Sequence, residues 1–332
     1  MSRPAPQVDI GLPTRGEAPY IAEAIESILA QTHRAWHLLI SENGPGGGEL
    51  EERIRPYLAD PRSEYSAMGE AVGASKNHTR VIQYGSSPYV AILHDDDRWD
   101  PEFLARRVEF LESHPECGLV FSANREMDER SRETGRSRQV LAEGVHPPEE
   151  FVPLLLRHNM IGIPTVLVRR SAYETVGPVF DEQTVFFDYE MWLRIALRFP
   201  VGYLAVWDAS YRVHDRQVTM TERRRGRQEL TLLDQIEGLL ADAPHVEPDR
   251  RQLRRRRARA HLSAALDELQ EPNRRSASRH LAEAVRIYPL AAIDPKVPAA
   301  LVGLTLGARG RRAVDRLRYL VLRKGLRVHV RR

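Results

Sequence analysis

Three consecutive aspartates, Asp95, Asp96 and Asp97, stand directly behind the apolar run Tyr89–Leu93. Carboxylates packed this closely repel one another unless water or a cation lies between them. A hard divalent cation such as Mg²⁺ or Mn²⁺ prefers oxygen ligands, and proteins commonly hold it with one or two carboxylates and the phosphates of a substrate. The alternative is a solvated turn. On this motif alone the two interpretations are evenly balanced.

The segments around these aspartates alternate between strand and helix patterns. The strand-like segments are Val8–Pro13, Trp36–Ser41, Tyr89–Leu93, Leu119–Ser122 and Thr165–Val168, and the helical segments between the first of them are Ala18–Ala30, Glu49–Leu58 and Lys76–Tyr84. This alternation predicts an α/β fold with a mostly parallel sheet flanked by helices. Ligands of such sheets bind beyond the carboxyl ends of the strands, which is where the aspartates fall.

Further patterns divide the rest of the chain. A helix is predicted directly after the aspartates, with Asp100 as its N-cap and Pro101 at its first position. The polar segment Glu126–Arg138 is predicted to be a flexible connection. Strand patterns stop near Thr221, so the sequence predicts a catalytic domain over residues 1–220 and an α-helical, arginine-rich extension over residues 221–332.

Composition narrows the class of protein. The chain has 332 residues, a formal net charge of +3 and a sequence pI near 9.1, with its arginines clustered in the last third. Its one cysteine, Cys117, excludes an intrachain disulfide and a thiolate metal cage. Because no stretch reaches the roughly 18 apolar residues of a membrane span, we expect a cytoplasmic protein.

Seven motifs, in order, resemble a known family, the inverting nucleotide-sugar glycosyltransferases of family 2, which have the GT-A (Rossmann-like) fold. The motifs run from about Val8 to Thr219 and read GLPTRGEAPYIAEAIESILAQTHRAWHLLI, SENGP, GASKNHTRVI, AILHDDDRWDPEFLARRVEFLESHP, RRSAYETVGPVFDE, FFDYEMWLRIA and YRVH. Any one of them would be a loose pattern. The series implies an enzyme that transfers a sugar from a nucleoside diphosphate.

The resemblance implies a cation site at the aspartates. Asp96 falls on the family's principal metal-ligand position, with Asp97 in support and Asp95 near the ribose of the donor. His94 occupies the place where many members have an aspartate. His214, in YRVH, matches a histidine that in some relatives is a metal ligand or a phosphate contact, although a lone histidine is more often structural. The cofactor implied is Mn²⁺ or Mg²⁺.

The donor-binding residues are implied by three other motifs. Pro13, Thr14 and Arg15 resemble the family's nucleotide-cradling loop. Glu42 is the nearest match to an aspartate that accepts the N3 proton of uracil or thymine, so UDP or dTDP donors are favoured. In GASKNHTR, Lys76 stands where an arginine that meets a phosphate is usual, and Asn77 matches the family directly. Taken alone, these residues would simply be a strand end and a helix surface.

An inverting transfer needs a general base on the acceptor side of the sugar. Asp188, in FFDYEMWLR, falls on the family's acidic motif and is the candidate base. Phe187 replaces the usual acidic residue before it, and apolar surroundings would raise the pKa of Asp188. Asp188 also suits the N-cap of the helix that follows. Glu190 cannot share a helical face with it and is predicted to bind the acceptor or to form a salt bridge.

The partners expected are a nucleotide-sugar donor and an acceptor that is a sugar, a glycan, a lipid-linked glycan or a small molecule. Acceptor choice is assigned to Arg125–Thr165 and to the helical extension. The basic amphipathic segment Arg311–Val330 suits either peripheral contact with the inner face of a membrane or packing on the main domain. Residue patterns give no oligomeric state.

Other functions fit parts of the sequence. A nucleotidyltransferase also uses carboxylates at a sheet edge, but its phosphate loop is glycine-rich, whereas Gly11–Gly16 is short and contains proline. A non-enzymatic nucleic-acid-binding protein would suit the arginine clusters. No nucleic acid is expected as partner, because aromatic residues are not interleaved with the basic runs. A degenerate, non-catalytic sugar-binding relative is disfavoured by the presence of Asp96 and Asp188.

Overall fold

A computed structural model describes residues 7–157, 159–214, 225–270, 273–294, 296–298 and 300–301. These residues form two compact units. The first contains the described residues up to Glu182 together with Phe187–His214, and the second contains Gln183–Phe186 and the described residues beyond His214. The predicted boundary at 220 lies outside the described residues. Within the described ranges, no helix is both long enough and apolar enough to cross a membrane.

The first unit is built on one mixed sheet. Its strands are β1 (Val8–Thr14), β2 (Trp36–Glu42), β3 (Ser63–Ala67), β4 (Tyr89–Ile92), β5 (Arg98–Trp99), β6 (Leu119–Met127), β7 (Glu133–Arg136), β8 (Gly144–His146), β9 (Leu167–Arg169) and β10 (Val201–Arg212). They lie in the order β3-β2-β1-β4-β9-β6-β10-β5, with β7 beside β6 and β8 beside β10. Strands β3, β2, β1 and β4 pair in parallel, as predicted. Strand β9 pairs antiparallel with both β4 and β6, so the second half of the sheet is mixed.

Helices cover the sheet of this unit. They are α1 (Ile21–Leu29), α2 (Gly48–Ile54), α3 (Ala74–Gln83), α4 (Phe103–Ser113), α5 (Pro148–Leu155), α6 (Arg170–Val176) and α7 (Phe187–Ala196). The apolar stripe of α1 is buried in full and shares the main core cluster with residues of β1, β2 and β4. Burial of this stripe is the main stabilisation of a helix of this length, because short helices are marginal in water by propensity alone.

Two local predictions were wrong. Helix α4 begins at Phe103 and has no side-chain cap, because Asp100 turns its carboxylate to Arg125 in an ion pair. The segment predicted as a flexible connection instead forms a hairpin, in which β7 pairs antiparallel with the end of β6. Ser131, at its turn, adopts a left-handed φ of 60°. Tertiary partners, which local patterns do not contain, decide both outcomes.

The second unit is helical where it is described. It contains α8 (Arg225–Ala241), α9 (Arg250–Gln270) and α10 (Arg274–Ile287), followed by a 3₁₀ turn over Pro289–Ile293. Small residues pack between α9 and α10, since Ala258 and Ala284 share one buried cluster with Leu262. The basic segment at 311–330 lies outside the described residues.

Candidate active site

The three aspartates form a tight turn at the edge of the sheet. They follow β4, and the backbone N–H of Asp97 donates to the carbonyl of His94 at 3.2 Å. Ligand atoms of His94, Asp96 and Asp97 all lie within 4.8 Å of one another. Asp97 is fully buried, whereas His94 and Asp96 are half-buried. The turn therefore presents one imidazole and two carboxylates to the same point.

Contacts from β10 fix the two carboxylates. The backbone N–H of Arg212 donates to Asp97 Oδ1 at 2.9 Å, and His214 Nε2 lies 2.9 Å from Asp96 Oδ2. The second oxygen of Asp97, Oδ2, is buried without a hydrogen-bond partner among the described residues. A buried carboxylate oxygen left in this state is costly in the absence of a cation or a donor. These residues therefore fit a divalent cation.

Electrostatics at the turn follow from burial and crowding. Burial raises the pKa of Asp95 to about 6, and burial likewise raises the pKa of Asp97 above its ordinary value. Burial lowers the pKa of His94, but the ion pair with Asp97 at 3.5 Å and the charges of Asp96 and Asp95 outweigh it and raise that pKa overall. A positive charge at His94 partly balances the carboxylates, which is the task a metal ion would share.

Strand β1 brings the predicted nucleotide loop to the same edge. Thr14 Oγ1 donates to Asp95 Oδ2 at 2.5 Å, and the backbone of Arg15 also hydrogen-bonds this carboxylate. Pro13 pairs in register with Ser41 of β2, and the Arg15 side chain is exposed. The loop and Asp95 thus form one hydrogen-bonded group, next to Asp96.

Strand β2 and helix α3 hold the next pair of predicted residues. Glu42 is buried at the end of β2, where Oε2 accepts a hydrogen bond from the Tyr65 hydroxyl at 2.5 Å. Burial, with Glu42 beside it, raises the pKa of Tyr65 to about 12. Asn77 is also buried and exchanges two hydrogen bonds with Ser41 of β2, at 2.6 and 2.8 Å.

Lys76 does not join this group. Its ammonium pairs with Glu182 at 3.3 Å, and both side chains are about half exposed. Lys76 also borders a surface cavity of about 390 Å³ that is lined by Glu64, Ser66 and Arg80 as well. The structure thus separates Lys76 from its neighbour Asn77 on α3, because consecutive helical residues face different directions.

Asp188 lies in the first turn of α7 rather than before it, since the helix begins at Phe187. Surrounding protein removes water from its carboxyl and raises the pKa of Asp188 to about 6, against the attraction of His94, which lowers it. Asn159 Nδ2 lies 3.5 Å from Asp188 Oδ2. The phenyl ring of Phe187 contacts His78, whose Nε2 lies 3.0 Å from His94. The residue that precedes Asp188 therefore contacts the histidine beside the cation cluster.

Glu190 forms a salt bridge, which is the second of the two roles predicted for it. Its Oε1 lies 2.9 Å from Arg194 Nε, one helical turn along α7. The same guanidinium donates to the carbonyls of Val176, Gly177 and Val179. The pair therefore ties α7 to the end of α6.

Three residues at the site were missed as functional candidates in the sequence. His94 was noted only as a departure from the family pattern, yet it shares the cation cluster. His78 was not singled out, although it contacts His94. Arg212 is wholly buried and donates to the Asp96 carbonyl at 2.8 Å, to Glu23 at 3.0 Å and to the hairpin turn. The sequence contained a signal for Arg212, because this residue is the arginine of the YRVH motif.

Comparison with known proteins gives the family. Residues 9–177 match the profile of Glycosyl transferase family 2. TuaG of Bacillus subtilis, whose name assigns it to teichuronic acid biosynthesis, is 24% identical over 167 residues, which cover 50% of this chain and 63% of TuaG. The chain thus matches less than two-thirds of that relative's length.

Solved structures share the fold. TarS 1-349 of S. aureus in complex with UDP-GlcNAc superimposes with a TM-score of 0.65 at 13% identity, covering 96% of this chain and 92% of that chain. The mannosyltransferase PcManGT from Pyrobaculum calidifontis, in complex with GDP-Man and Mn²⁺, gives a TM-score of 0.56 at 18% identity, covering 95% and 85%. The predicted GT-A fold is confirmed. With half of its residues inside the matching profile, the chain belongs to glycosyl transferase family 2.

Proposed function

We propose that this protein is a metal-dependent, inverting glycosyltransferase that moves a sugar from a nucleoside diphosphate, UDP or dTDP, to an acceptor hydroxyl. The observation that carries the proposal is the cluster of His94, Asp96 and Asp97, in which a buried carboxylate oxygen lacks a hydrogen-bond partner among the described residues. Family membership favours sugar transfer over nucleotidyl transfer and over nucleic-acid binding.

The donor's nucleoside end is assigned to the ends of β1 and β2. Thr14 and the backbone of Arg15 would hold the ribose together with Asp95, with which they already share hydrogen bonds. Glu42 has one oxygen engaged by Tyr65, which fixes its carboxylate in place as an acceptor for the N3 proton of uracil or thymine. Asn77 and Pro13 are assigned to the same end of the donor, because both contact Ser41 next to Glu42. Lys76 is assigned to a phosphate of the donor, a role that requires it to leave Glu182.

The metal site is assigned to Asp96 and Asp97, with His214 as a further ligand or as the residue that orients Asp96. When bound there, Mn²⁺ or Mg²⁺ supplies Lewis-acid neutralisation of the charge that develops on the leaving diphosphate. Arg212 supports the turn, because its backbone N–H donates to the Asp97 carboxylate and its Nε donates to the backbone carbonyl of Asp96.

Asp188 is assigned the role of general base. Its carboxylate would take the proton of the acceptor hydroxyl as that oxygen bonds to the anomeric carbon. The bond between the anomeric carbon and the diphosphate oxygen breaks at the same time, and its electron pair leaves with the nucleotide. Because attack and departure occur on opposite faces, the anomeric configuration inverts. Glu190 is assigned to the acceptor side. Its salt bridge with Arg194 holds the helix that carries Asp188.

The relatives support glycan assembly as the setting. TuaG is named for teichuronic acid biosynthesis, TarS was solved with UDP-GlcNAc, and PcManGT was solved with Mn²⁺. We therefore assign a polysaccharide, lipid-linked or small-molecule acceptor. Catalysis is assigned to residues 1–220. The location is assigned to the cytoplasm, with peripheral contact at a membrane. Residues 221–332 are assigned as a helical extension.

Hydrolysis of the donor tests the proposal without knowledge of the acceptor. The protein would be incubated with Mn²⁺ and a panel of α-linked UDP- and dTDP-sugars, and the released sugar would be followed by proton NMR. We expect at least one donor to give the β-anomer first, with no release after EDTA treatment. Initial formation of the α-anomer would rule out inversion, and absence of nucleotide release from every donor would contradict sugar transfer.

A further inference from the structure

His94 of the cation cluster contacts a second histidine, His78, through one ring nitrogen of each residue. His78 lies on α3, and its Nε2 lies 3.0 Å from His94 Nε2. The other nitrogen of His78, Nδ1, lies 2.8 Å from the carbonyl oxygen of Ala74. Neither contact was expected from the sequence.

These contacts determine which nitrogens carry protons. A carbonyl oxygen only accepts hydrogen bonds, so His78 Nδ1 must be the donor to Ala74. Burial beside two phenyl rings keeps the ring of His78 neutral, so its Nε2 is an acceptor. The hydrogen between the two rings therefore belongs to His94 Nε2. His94 Nδ1 faces the carboxylates; it carries a proton while no cation is bound, and a bound cation would displace that proton.

The nitrogen of His94 that does not contact His78 faces the carboxylates of the cation cluster. His94 Nδ1 lies 3.5 Å from Asp97 Oδ2, the buried oxygen without a hydrogen-bond partner among the described residues. Two atoms at this separation can both reach the ligand distance of a small divalent cation, about 2.1 Å. In both His94 and Asp97, one side-chain atom contacts a neighbouring protein group, and the other side-chain atom faces the cation cluster.

Packing around His78 keeps this arrangement rigid. Its ring is 6% exposed and contacts Phe180 at 5.9 Å and Phe187 at 4.9 Å between centroids. Helix α3 is itself held by the paired hydrogen bonds between Asn77 and Ser41. His78 has little freedom to release His94, so the ring of His94 is fixed before a ligand arrives.

We propose that His78 is a positioning residue that fixes the tautomer of His94 and so gives the cation a nitrogen ligand in addition to its carboxylates. The inference rests on the proposed function, because it concerns the metal that function uses. Imidazole suits borderline transition ions better than Mg²⁺, which prefers oxygen alone. The site should therefore bind Mn²⁺ or Co²⁺ in preference to Mg²⁺.

Pulsed EPR of bound Mn²⁺ tests this inference without measuring turnover. Nitrogen modulation from a coordinated imidazole is expected in the wild type with UDP. It should be retained in His214→Ala and reduced in His94→Ala, completely so where His214 only orients Asp96. His78→Leu removes the acceptor for His94 and should weaken Mn²⁺ binding by about 10- to 100-fold, as loss of such a supporting residue usually does. His78→Gln, whose amide oxygen can replace Nε2 as acceptor, should restore most of the affinity.

The outcomes separate the inference from the proposed function. Mn²⁺ that binds without nitrogen modulation, or modulation unchanged in His94→Ala, overturns the inference and leaves metal-dependent transfer intact. Unchanged Mn²⁺ affinity in a folded His78→Leu also overturns it. If the wild type binds no Mn²⁺ with or without UDP, both ideas fail, and that result appears before any variant is made. Should His78→Leu not fold, His94→Ala still tests the nitrogen ligand, and a Mn²⁺ affinity of His78→Gln far below that of the wild type would overturn the role of His78.

Discussion

Asp188 illustrates how the surroundings of one residue set its chemistry. The same side chain, exposed on a helix, would ionise near pH 4 and be a weak base. Here burial of the carboxyl in the first turn of α7 raises its pKa to about 6, although the amide of Asn159, 3.5 Å away, acts to lower it. A carboxylate of this strength is matched to proton transfer near neutral pH.

Asp188→Asn should reduce kcat by about 10²- to 10⁴-fold, the usual contribution of a general base, while UDP affinity stays unchanged. In the wild type, the base must be deprotonated, so kcat/KM should fall as the pH drops below about 6. Initial rates between pH 4.5 and 8 measure this limb. A flat profile across pH 6, or full turnover in Asp188→Asn, would remove Asp188 from the role.

The buried pair of Arg107 and Asp208 stabilises the first unit. Arg107 donates to both oxygens of Asp208, at 2.9 and 3.0 Å, and is wholly buried. Asp208→Asn would leave a buried guanidinium uncompensated and should lower the free energy of unfolding by about 3 to 5 kcal/mol. Urea titration measures this loss. Glu102→Gln, which breaks only the exposed pair with Arg106, is the matched control and should cost less than about 1 kcal/mol.

The same pair predicts a dependence of stability on acid. Burial raises the pKa of Asp208, but the charge and hydrogen bonds of Arg107 outweigh it and lower that pKa overall. A depressed carboxyl pKa contributes stability that is present above the unfolded value, about 3.9, and is lost as the pH falls through the folded value. Below pH 4 the wild type should therefore approach Asp208→Asn in stability. A difference that stays constant down to pH 2 would contradict this.

At the scale of elements, the site depends on how closely α3 lies to β1. A Cβ on Gly11 would come 2.4 Å from Val81 Cβ on α3, so only glycine permits this approach. Asn77 and His78 lie on the same helix, one turn earlier. The spacing of β1 and α3 therefore sets the position of His78 relative to the turn after β4.

Gly11→Ala should push α3 outward, lower the free energy of unfolding by about 1 to 3 kcal/mol and weaken Mn²⁺ binding. Chemical denaturation and the Mn²⁺ titration measure the two effects. Gly162→Ala is the matched control, because the nearest atoms to its added Cβ lie 3.8 Å away and its stability should change little. Equal stability of the two variants would mean that the close approach does not constrain α3.

Sequence patterns predicted those features that depend on neighbours along the chain. The strand before Asp95, the helix within Ala18–Ala30 and the parallel order of the first strands all follow from local periodicity. Contacts between distant segments did not follow. Asp100 meets Arg125 instead of capping α4, His78 meets His94, and Arg212 reaches Asp97 from 115 positions away. Such pairs depend on the packing of several elements, and no short pattern encodes them.

At the scale of the whole molecule, the second unit shows why clustered arginines are a weak indicator of nucleic-acid binding. Arg256 donates to Glu229 at 3.2 Å, Arg257 to Asp234 at 2.6 Å, and Arg254 to the carbonyl of Ile287. These guanidinium groups of α9 are used to hold helices of the same unit together. The sequence shows the cluster but not its acidic partners, which lie on α8.

Asp96 and its neighbours should bind a cation that a uridine or thymidine diphosphate needs for its own binding. Isothermal titration of UDP and dTDP, with GDP and ADP for comparison, measures this directly in the presence and absence of Mn²⁺. We expect UDP or dTDP to bind the wild type only with Mn²⁺, and Asp96→Ala to lose that binding by at least about tenfold. UDP affinity that is the same with and without Mn²⁺, or unchanged in Asp96→Ala, would contradict the account.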